Sequence, residues 1–276
     1  MITDPSGAAV VTGASRGIGR ATAIELAARG FDVIATMRDV TAGASLADEA
    51  AARGGKLRVE YLDVTKPETI VLPDDLRVLV NNAGVQAPYL PLEETPLDLM
   101  REMFDTNVYG QLEVLKKAIP IMRGRGEGVL CNVTSSSILT PVPFFSMYRG
   151  AKAALSAITE TLRVELAPFG IRMVEILPGP IDTDMLRNSN RLPAAGAFEP
   201  YREVAEEMYA GRAHIDTLKA STEVAGAMIA DAILEADGPM RYGCDPMSVD
   251  LLERWRHVSD EEIVAPMLAR YAPAPS

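Results

Sequence analysis

Clustered cysteine and histidine residues and membrane-spanning stretches are what this 276-residue sequence most clearly lacks. It has two cysteines, Cys131 and Cys244, and two isolated histidines, His214 and His257, which form neither a CxxC motif nor a Cys/His cluster. Structural metal sites need such clusters, so we expect none. No apolar stretch approaches the roughly 18 residues of a membrane span, and the N-terminus has neither a basic region nor an apolar stretch. The sequence therefore predicts a soluble, cytoplasmic protein.

The sequence also has fewer basic than acidic residues. The chain has 27 Lys and Arg residues against 38 Asp and Glu residues, which gives a formal net charge of −11. Sequence-independent binding to nucleic acid or to anionic lipid needs a basic surface, so we expect neither nucleic acid nor a membrane as a partner. The hydrophobic content of 48% and the charged content of 24% are those of an ordinary, well-packed globular protein.

Short β-branched runs alternate with longer helical patterns along the chain. Strands are predicted over residues 8–12, 31–36, 57–62, 78–81, 129–134, 172–177 and 240–243. Helices are predicted over residues 20–29, 44–53, 97–122, 146–167 and 222–236. Such alternation is typical of βαβ units. We predict an α/β fold with one Rossmann-like, doubly wound parallel sheet and helices on both faces, in a single domain over residues 1–276.

Two regions stand outside this alternation. Residues 186–213 lie between a strand end and a late helix, and they are predicted to form a partly helical flap over the substrate. Residues 245–271 follow the last predicted strand as a C-terminal extension with two short helical patterns. No repeat and no Pro/Gly linker divides the chain.

A glycine-rich turn follows the first predicted strand and opens the first helix. It reads Thr12-Gly13-Ala14-Ser15-Arg16-Gly17-Ile18-Gly19. Glycines at this place allow a tight turn, close approach of the backbone to a pyrophosphate and close packing of helix on sheet. The helix N-terminus then offers free N–H groups and a favourable dipole to phosphates. Such a turn can exist without a ligand, but its place between strand and helix favours a bound dinucleotide.

The end of the second predicted strand bears on which nicotinamide cofactor binds. Asp39 lies about twenty residues beyond Gly19, where an acid would contact the ribose 2′-hydroxyl of NAD(H). Arg38 precedes it, and Arg16 lies in the glycine turn. Two guanidinium groups near one ribose suit a 2′-phosphate. The sequence favours NADP(H) and leaves NAD(H) as the alternative.

Tyr148 and Lys152 lie four residues apart on a predicted helix and project from the same face. A free tyrosine, with a pKa near ~10, is a poor acid or base at neutral pH. An ammonium beside it favours the phenolate and lowers that pKa, so the pair could exchange protons with a substrate oxygen. The spacing alone is weak evidence. Ser135, thirteen residues before Tyr148, ends a predicted strand where open α/β sheets bind ligands.

Together these residues resemble the short-chain dehydrogenase/reductase family, in its single-domain branch. The resemblance runs over about residues 8–183 and is weaker beyond. The motifs that carry it are the glycine turn at 12–19, Leu62-Asp63-Val64, Asn81-Asn82-Ala83-Gly84, Asn107, Ser135, Tyr148 with Lys152, and Pro178-Gly179-Pro180-Ile181-Asp182-Thr183. The resemblance implies an enzyme that acts on CH–OH and C=O groups with a nicotinamide cofactor.

The resemblance also implies a catalytic set of Asn107, Ser135, Tyr148 and Lys152. Tyr148 is the implied proton donor for carbonyl reduction, or the base for alcohol oxidation, and Ser135 hydrogen-bonds the substrate oxygen. Lys152 also binds the nicotinamide ribose hydroxyls. The backbone carbonyl of Asn107 holds a water that contacts Lys152.

The cofactor contacts are implied in the same way. Asp63 and the backbone of Val64 would contact adenine, and Asn81 and the turn after it would lie beside the adenosine ribose. Thr183 and the backbone of Ile181 would hold the nicotinamide carboxamide. The implied cofactor-binding set is Thr12, Gly13, Ser15, Arg16, Gly17, Ile18, Gly19, Arg38, Asp63, Val64, Asn81, Ala83, Gly84, Tyr148, Lys152, Pro178, Gly179, Ile181 and Thr183.

Two features depart from the family pattern. Residues 65–76 contain Pro67 and Pro73 and leave room for only a turn or two where the family has a full helix, so one outer helix should be short or absent. Arg149 replaces a usually small residue, and it is expected to point to solvent or into a subunit contact. The family usually forms dimers or tetramers through its two long central helices, here residues 97–122 and 146–167, which implies a homodimer or homotetramer.

The predicted substrate end is mostly apolar, which suits a bulky hydrophobic ketone or alcohol of steroid or retinoid type. Any one of these side chains could instead pack within the flap or at a subunit contact. Apart from Arg187 and Arg191, no fixed cation in the predicted pocket selects an acidic substrate. The candidate pocket residues are Val85, Gln86, Tyr89, Ile138, residues 141–145, Met185, Leu186, Leu192, Phe198, Tyr201 and Met208.

Two other functions fit parts of the pattern. A non-catalytic NADP(H)-binding regulator would need only the nucleotide end, and retention of the whole catalytic set argues against it. A 3-oxoacyl-type reductase is the second alternative; enzymes that reduce a carbon–carbon double bond on an acyl carrier use a wider tyrosine-to-lysine gap, which the YxxxK spacing disfavours. The sequence thus predicts an NADP(H)-dependent oxidoreductase that interconverts a ketone or aldehyde and an alcohol on a small molecule.

Overall fold

A seven-stranded sheet forms the centre of the protein, in a computed structural model that describes residues 5–189 and 191–271. The strands are β1 (Ala8–Thr12), β2 (Asp32–Met37), β3 (Lys56–Tyr61), β4 (Leu76–Asn81), β5 (Gly128–Val133), β6 (Ile171–Leu177) and β7 (Arg241–Gly243). Their order in the sheet is β3-β2-β1-β4-β5-β6-β7, and each pairing is parallel. This confirms the predicted α/β fold with a doubly wound parallel sheet.

Helices surround this sheet on both faces. They are α1 (Gly17–Ala28), α2 (Leu46–Ala52), α3 (Leu97–Phe104), α4 (Gly110–Arg125), α5 (Ser146–Leu166), α6 (Asp184–Ser189), α7 (Arg202–Ala210), α8 (Arg212–Leu218), α9 (Thr222–Leu234), α10 (Pro246–Trp255) and α11 (Asp260–Tyr271). Within the part of the chain that the structure describes, none of the helices combines the length and the apolar character that crossing a membrane requires.

Alternate residues of each inner strand are buried on opposite faces of the sheet. In β1, Val10 joins the hydrophobic cluster that contains Leu115 of α4, whereas Val11 joins the cluster that contains Leu26 of α1 and Ile229 of α9. A parallel strand covered on both sides has no polar face, which is why these strands appear in the sequence as continuous apolar runs.

The strand order reverses beside β1, and this reversal determines where the candidate ligand site lies. β2 lies on one side of β1 and β4 on the other, so the connections leave in opposite directions. Open α/β sheets bind ligands in the crevice that such a reversal leaves at the carboxyl ends of the strands. The turns that follow β1, β4, β5 and β6 all lie along this edge.

The helix predicted over residues 97–122 lies where it was expected, but it is not one continuous α-helix. Two α-helices, α3 and α4, are joined there by a π-helical turn at Asp105–Tyr109. A π-helical turn accommodates one extra residue, and the 3.6-residue hydrophobic pattern does not reveal it over so short a stretch. Between β3 and β4 a 3₁₀ turn, Pro67–Thr69, replaces the outer helix, as the two prolines predicted.

Residues 186–213 contain the end of α6, the whole of α7, the beginning of α8 and two 3₁₀ turns, Ala194–Ala197 and Glu199–Tyr201; Asn190 lies outside the described residues. Residues 245–271 contain α10 and α11, which follow the edge strand β7.

The close contact between α1 and α9 allows the packing on one face of the sheet to be tested by substitution. A Cβ added to Gly226 of α9 would come 2.8 Å from the carbonyl carbon of Ala21 and 3.0 Å from the nitrogen of Thr22. Gly226→Val must therefore push α9 away from α1, and we expect the free energy of unfolding to fall by about 1–3 kcal/mol in urea denaturation. Gly150→Val on α5 is the control, because a Cβ there meets nothing within 4 Å. Equal unfolding midpoints for the two variants would contradict the tight contact.

Candidate active site and nucleotide cleft

The turn after β1 depends on glycine at two positions. Gly13 has φ +66°, and a Cβ there would come 2.7 Å from the Cα of Ala83. Gly17 has φ +59°, and its added Cβ would come 3.2 Å from the Cγ2 of Thr183. Side chains at these two positions would both strain the backbone and narrow the space between the turn and the loops opposite.

Hydrogen bonds tie the same turn to the end of β4. The hydroxyl oxygen of Thr12 accepts from the backbone N–H groups of Asn82 (3.0 Å) and Ala83 (3.1 Å). The side-chain amide of Asn82 donates to the carbonyl oxygens of Thr12 (3.0 Å) and Gly13 (3.1 Å). A Cβ on Gly19 would collide with that amide. Thr12 and Gly19 therefore hold the turn in place and do not line the cleft.

A cleft of about 210 Å³ opens above the turn. It contains most of the predicted cofactor residues of the first half of the chain, together with Thr183 from the loop after β6. The predicted residues that line it are Gly13, Ser15, Arg16, Gly17, Ile18, Arg38, Asp63, Val64, Ala83, Gly84 and Thr183.

Asn81 lies beneath the cleft. Its side chain is buried and donates to the backbone oxygen of Gln111 (3.2 Å) and to Oδ1 of Asn132 (3.1 Å), so it joins β4 to β5 and α4. The next residue, Asn82, lines the cleft. Adjacent strand residues point to opposite sides, and a motif match does not reveal which neighbour faces the ligand.

Positive charge lies at the end of the cleft next to β2. Arg16 and Arg38 both line it, and the Arg16 side chain is 76% exposed, with Nη1 3.9 Å from an Asp184 oxygen. The carboxylate of Asp39 does not line the cleft. It accepts from the hydroxyl (2.6 Å) and the backbone N–H (3.0 Å) of Thr41, and these bonds lower its pKa.

A second cavity of about 530 Å³ continues from the cleft and shares with it residues such as Gly84, Val85 and Thr183. Three members of the predicted catalytic set meet in it, with the loop after β6. The predicted residues that line it are Ser135, Tyr148, Lys152, Pro178, Gly179, Ile181 and Thr183, with Ile18 and Gly84 at the boundary between the two spaces.

Tyr148 and Lys152 are both buried, and burial controls their protonation. Desolvation raises the pKa of Tyr148 to about 12, against the opposing effect of a hydrogen bond with Ser135. Desolvation lowers the pKa of Lys152 to about 8, against the field of Glu175. Lys152 Nζ donates to the carbonyl oxygen of Val133 at 2.8 Å and lies 5.8 Å from the centre of the Tyr148 ring.

The pKa of Tyr148 therefore lies above its ordinary value and not below it, as the sequence predicted, because the effect of burial is the largest. Both side chains are buried in the folded protein, and burial makes the charged form of each less favourable. Spacing on a helix could place the two side chains on one face, but it could not say how much solvent each would keep.

Ser135 is held by the turn that it begins. Its hydroxyl oxygen accepts from the backbone N–H (3.2 Å) and the hydroxyl (2.9 Å) of Ser137. Arg149 donates from Nε to the carbonyl oxygen of Ser137 (2.9 Å) and from Nη2 to that of Ile138 (3.0 Å). Arg149 was expected to face solvent or a second subunit; it braces the serine loop instead. A guanidinium presents several donors in a fixed plane, which suits two adjacent carbonyls.

Asn107 lies in the π-helical turn and does not line either space. Its amide holds the backbone of Val85 from both sides, because Oδ1 accepts the N–H and Nδ2 donates to the carbonyl oxygen, each at 2.8 Å. A Cβ on Gly84 would come 3.1 Å from Asn107 Oδ1 and 3.6 Å from Lys152 Nζ. The side chain therefore fixes the loop beside Lys152, and the implied role of the Asn107 carbonyl stays a prediction.

The loop after β6 is braced by a residue that sequence reasoning missed. Asp245 is buried, and its Oδ2 accepts the backbone N–H of Gly179 at 2.7 Å. The same carboxylate forms a capping box with Ser248 at the start of α10. The Asp-Pro-Met-Ser sequence could have indicated this helix start, but not its contact with a loop 66 residues earlier.

The substrate end takes its walls from three distant parts of the chain. Of the candidate pocket residues, Val85, Gln86, Tyr89, Val142, Phe145, Met185, Leu186 and Met208 line the cavity. Ile138, Pro141, Pro143, Phe144, Leu192, Phe198 and Tyr201 do not; Ile138, for example, packs against the cluster of Leu139, Leu177 and Leu252. Residues that were not predicted line the rest of the wall, and they include Ser189, Gly211, Arg212, His214, Ile215, Met247, Met267, Arg270 and Tyr271.

Residues 7–193 match the family described as short chain dehydrogenase. The chain is 40% identical to the uncharacterized oxidoreductase YusZ of Bacillus subtilis, over 66% of this chain and 67% of that protein. It is 35% identical to retinol dehydrogenase 8 of Bos taurus, over 63% of this chain and 59% of that enzyme, so the match spans less than two thirds of the enzyme. It is 32% identical to a 3-oxoacyl-[acyl-carrier-protein] reductase of Synechocystis, over 84% of this chain and 96% of that enzyme.

Solved structures share this fold, two of them over nearly the whole chain. A short-chain dehydrogenase from Streptomyces avermitilis is 31% identical, with a TM-score of 0.75 over 98% of this chain and 100% of its own. One from Burkholderia cenocepacia, in complex with NADP, is 25% identical with a TM-score of 0.72 over 98% of each chain. A 7α-hydroxysteroid dehydrogenase complexed with NADH and 7-oxo glycochenodeoxycholic acid is 28% identical, with a TM-score of 0.62 over 66% and 74%. The chain therefore belongs to the short-chain dehydrogenase/reductase family and is an oxidoreductase of alcohol and carbonyl groups.

Proposed function

We propose that the protein is an NADP(H)-dependent oxidoreductase that interconverts a ketone or aldehyde and an alcohol on a bulky, largely apolar substrate. The observation that carries the proposal is the meeting of Ser135, Tyr148 and Lys152 in an apolar cavity continuous with the cleft above the glycine turn. Such a cavity, with a few convergent polar groups, is the usual form of a small-molecule site.

The residues of the cleft fit a nicotinamide dinucleotide. Gly13 and Gly17 keep open the space that a side chain would fill, and the turn opens α1, whose first N–H groups suit phosphate oxygens. Arg16 and Arg38 offer guanidinium donors at the adenosine end. When bound, the cofactor supplies or accepts the hydride.

The protein's own part is to position and polarise the reacting oxygen. In carbonyl reduction, the hydroxyls of Ser135 and Tyr148 donate to the substrate oxygen and stabilise the negative charge that develops on it. Tyr148 then gives its proton to that oxygen, and the ammonium of Lys152 stabilises the phenolate that remains. In alcohol oxidation the proton moves the other way.

Several features support NADP(H) and a bulky substrate. Asp39 is engaged with Thr41, while two arginines line the cleft. The second cavity is lined by side chains such as Val142, Phe145 and Met247. Relatives named for retinol, and a structural neighbour named for a hydroxysteroid, act on substrates of this type, and another neighbour binds NADP. A 3-oxoacyl-type reductase remains the second candidate, favoured by the extent of the match to the Synechocystis enzyme.

The expected homodimer or homotetramer stays a prediction. Leu97, Tyr109 and Val164 are exposed apolar side chains on the helices through which the family usually pairs, and they support it.

The proposed reaction is tested by removing the Tyr148 hydroxyl. We expect Tyr148→Phe to lower kcat for carbonyl reduction about 10²- to 10⁴-fold in an NADPH-consumption screen over diverse ketones and aldehydes, because the proton donor is lost. The stack of this ring on Phe145, at 4.5 Å between centres, is kept by phenylalanine. Tyr109→Phe, at an exposed position, is the control and should keep full activity. Equal rates for wild type and Tyr148→Phe would refute the catalytic assignment.

The protonation of Lys152 predicts a pH dependence. Its pKa is about 8, so the positive charge beside Tyr148 is present below that pH and is lost as the pH rises through it. We expect kcat/KM for carbonyl reduction to fall above about pH 8, whereas Tyr148, with a pKa of about 12, stays protonated. Lys152→Arg keeps its charge throughout, so the residual activity of that variant should lose the decline near pH 8. An unchanged decline in the variant would assign it to another group.

The cofactor preference depends on Arg38 in this proposal. Replacing its cation by a carboxylate in Arg38→Asp should weaken binding of NADPH relative to NADH by about 10- to 100-fold, since a charge-assisted bond to the 2′-phosphate is lost. The ratio of kcat/KM values for the two cofactors measures the effect. Arg125→Asp, on the last turn of α4, is the control. An unchanged ratio in Arg38→Asp would rule out its contact with the phosphate.

A further inference from the structure

The larger cavity has a charge opposite to that of the protein as a whole. The chain carries 38 acidic residues and a net charge of −11. Among the described residues that line this cavity there is no Asp or Glu, and the ionisable cations are Lys152, Arg212 and Arg270, with His214 beside them. Walls of one charge sign around a largely apolar space attract a ligand of the other sign.

These three cations are not equivalent. Lys152 belongs to the catalytic set. Arg270 of α11 donates from Nε to a carboxylate oxygen of Glu207 at 3.0 Å and from Nη2 to the Glu207 carbonyl at 3.2 Å, so it ties α11 to α7. Arg212 has a different environment: its Nε is buried and has no hydrogen-bond partner among the described residues.

An aromatic stack separates Arg212 from the catalytic tyrosine. The guanidinium carbon of Arg212 lies 4.9 Å from the centre of the Tyr89 ring. The Tyr89 ring stacks on Phe145 at 4.7 Å, and Phe145 stacks on Tyr148 at 4.5 Å. Arg212 therefore lies at the end of the cavity wall farthest from Tyr148 along this stack.

An aromatic ring orients a guanidinium that lies over it. The N–H donors at the edge of the guanidinium plane then remain available to another ligand. A planar carboxylate accepts two of these donors at once. No Asp or Glu is among the described residues that line the cavity with Arg212, so a substrate carboxylate there would supply an ion-pair partner. The two arginines named from the sequence do not compete for this role, because neither Arg187 nor Arg191 lines the cavity and Arg187 is paired with Asp182 and Asp184.

We infer that the substrate is a bulky apolar ketone or alcohol that carries a carboxylate at the end remote from the reacting carbon, and that Arg212 binds this carboxylate. The inference rests on the proposed function, since it takes Tyr148 as the reacting end of the cavity. It assigns a direction to the substrate: the carbonyl at Ser135 and Tyr148, the apolar body along Tyr89 and Phe145, and the acid at Arg212.

The test uses two probes that differ only in this charge. Dehydrocholate has three ring ketones and a side-chain carboxylate, and its methyl ester has the same ketones without the charge. With NADPH, wild-type protein should show a KM for the acid about 10- to 100-fold below that for the ester. In Arg212→Met, which keeps an apolar side chain against Tyr89, this ratio should approach one. Arg212→Lys should restore part of it.

The control is Arg202→Met, because Arg202 is exposed on α7 and does not line the cavity. It should keep the wild-type ratio. The same four proteins, loaded with NADP⁺, are also titrated with both probes by calorimetry, so that binding is measured apart from turnover. An acid that binds wild type no more tightly than its ester, or not at all, overturns the inference, as does an Arg212→Met variant that keeps the preference.

The two assays separate the inference from the proposed function. If the ester and other ketones are reduced in a Tyr148-dependent way without any preference for the acid, the proposed reaction stands and the Arg212 site is refuted. If the acid binds preferentially through Arg212 but no carbonyl is reduced, the anion site stands and the proposed reaction is refuted.

Discussion

The hydrogen bond from the buried ammonium of Lys152 to the carbonyl oxygen of Val133 is the contact on which the proposed active site depends. It joins α5 to the carboxyl end of β5, and Ser135 follows Val133 by two residues. A cation removed from water must be hydrogen-bonded or paired, so this bond sets how α5 lies against the sheet beside Tyr148. The burial that makes the bond necessary also lowers the pKa of Lys152 and raises that of Tyr148. Position and protonation therefore have one cause.

The loops around this pair are each braced from another part of the chain. Arg149 holds the carbonyls after Ser135, Asn107 holds both polar groups of the Val85 backbone, and Asp245 accepts the N–H of Gly179. Turns leave backbone groups without regular partners, and these side chains satisfy them where water would be excluded. The result is a cleft whose walls are ordered by the protein's own hydrogen bonds, which is the condition for orienting a reacting oxygen.

The two ends of the cleft are built in different ways. The nucleotide end comes mostly from consecutive turns at the sheet edge, and its charge comes from Arg16 and Arg38. The substrate end combines the loop around Tyr89, the flap helices and the last helix of the chain. In an acidic protein its wall is nevertheless cationic, with Arg212 at the far end of the aromatic stack from Tyr148. The walls of the proposed substrate end are therefore built from segments that come together only in the folded state.

Local patterns of residues were sufficient to predict the strands, the glycine turn and the pairing of Tyr148 with Lys152. These features are local: a strand covered on both faces must be a continuous apolar run, and residues four apart on a helix share a face. The packing of the folded chain decided that Asn82 and not Asn81 lines the cleft, that Arg149 braces the serine loop, and that Arg212 lines the cavity. It also decided both pKa shifts. Solvent exposure and contacts between distant segments are properties of the packed chain, and no local pattern of residues contains them.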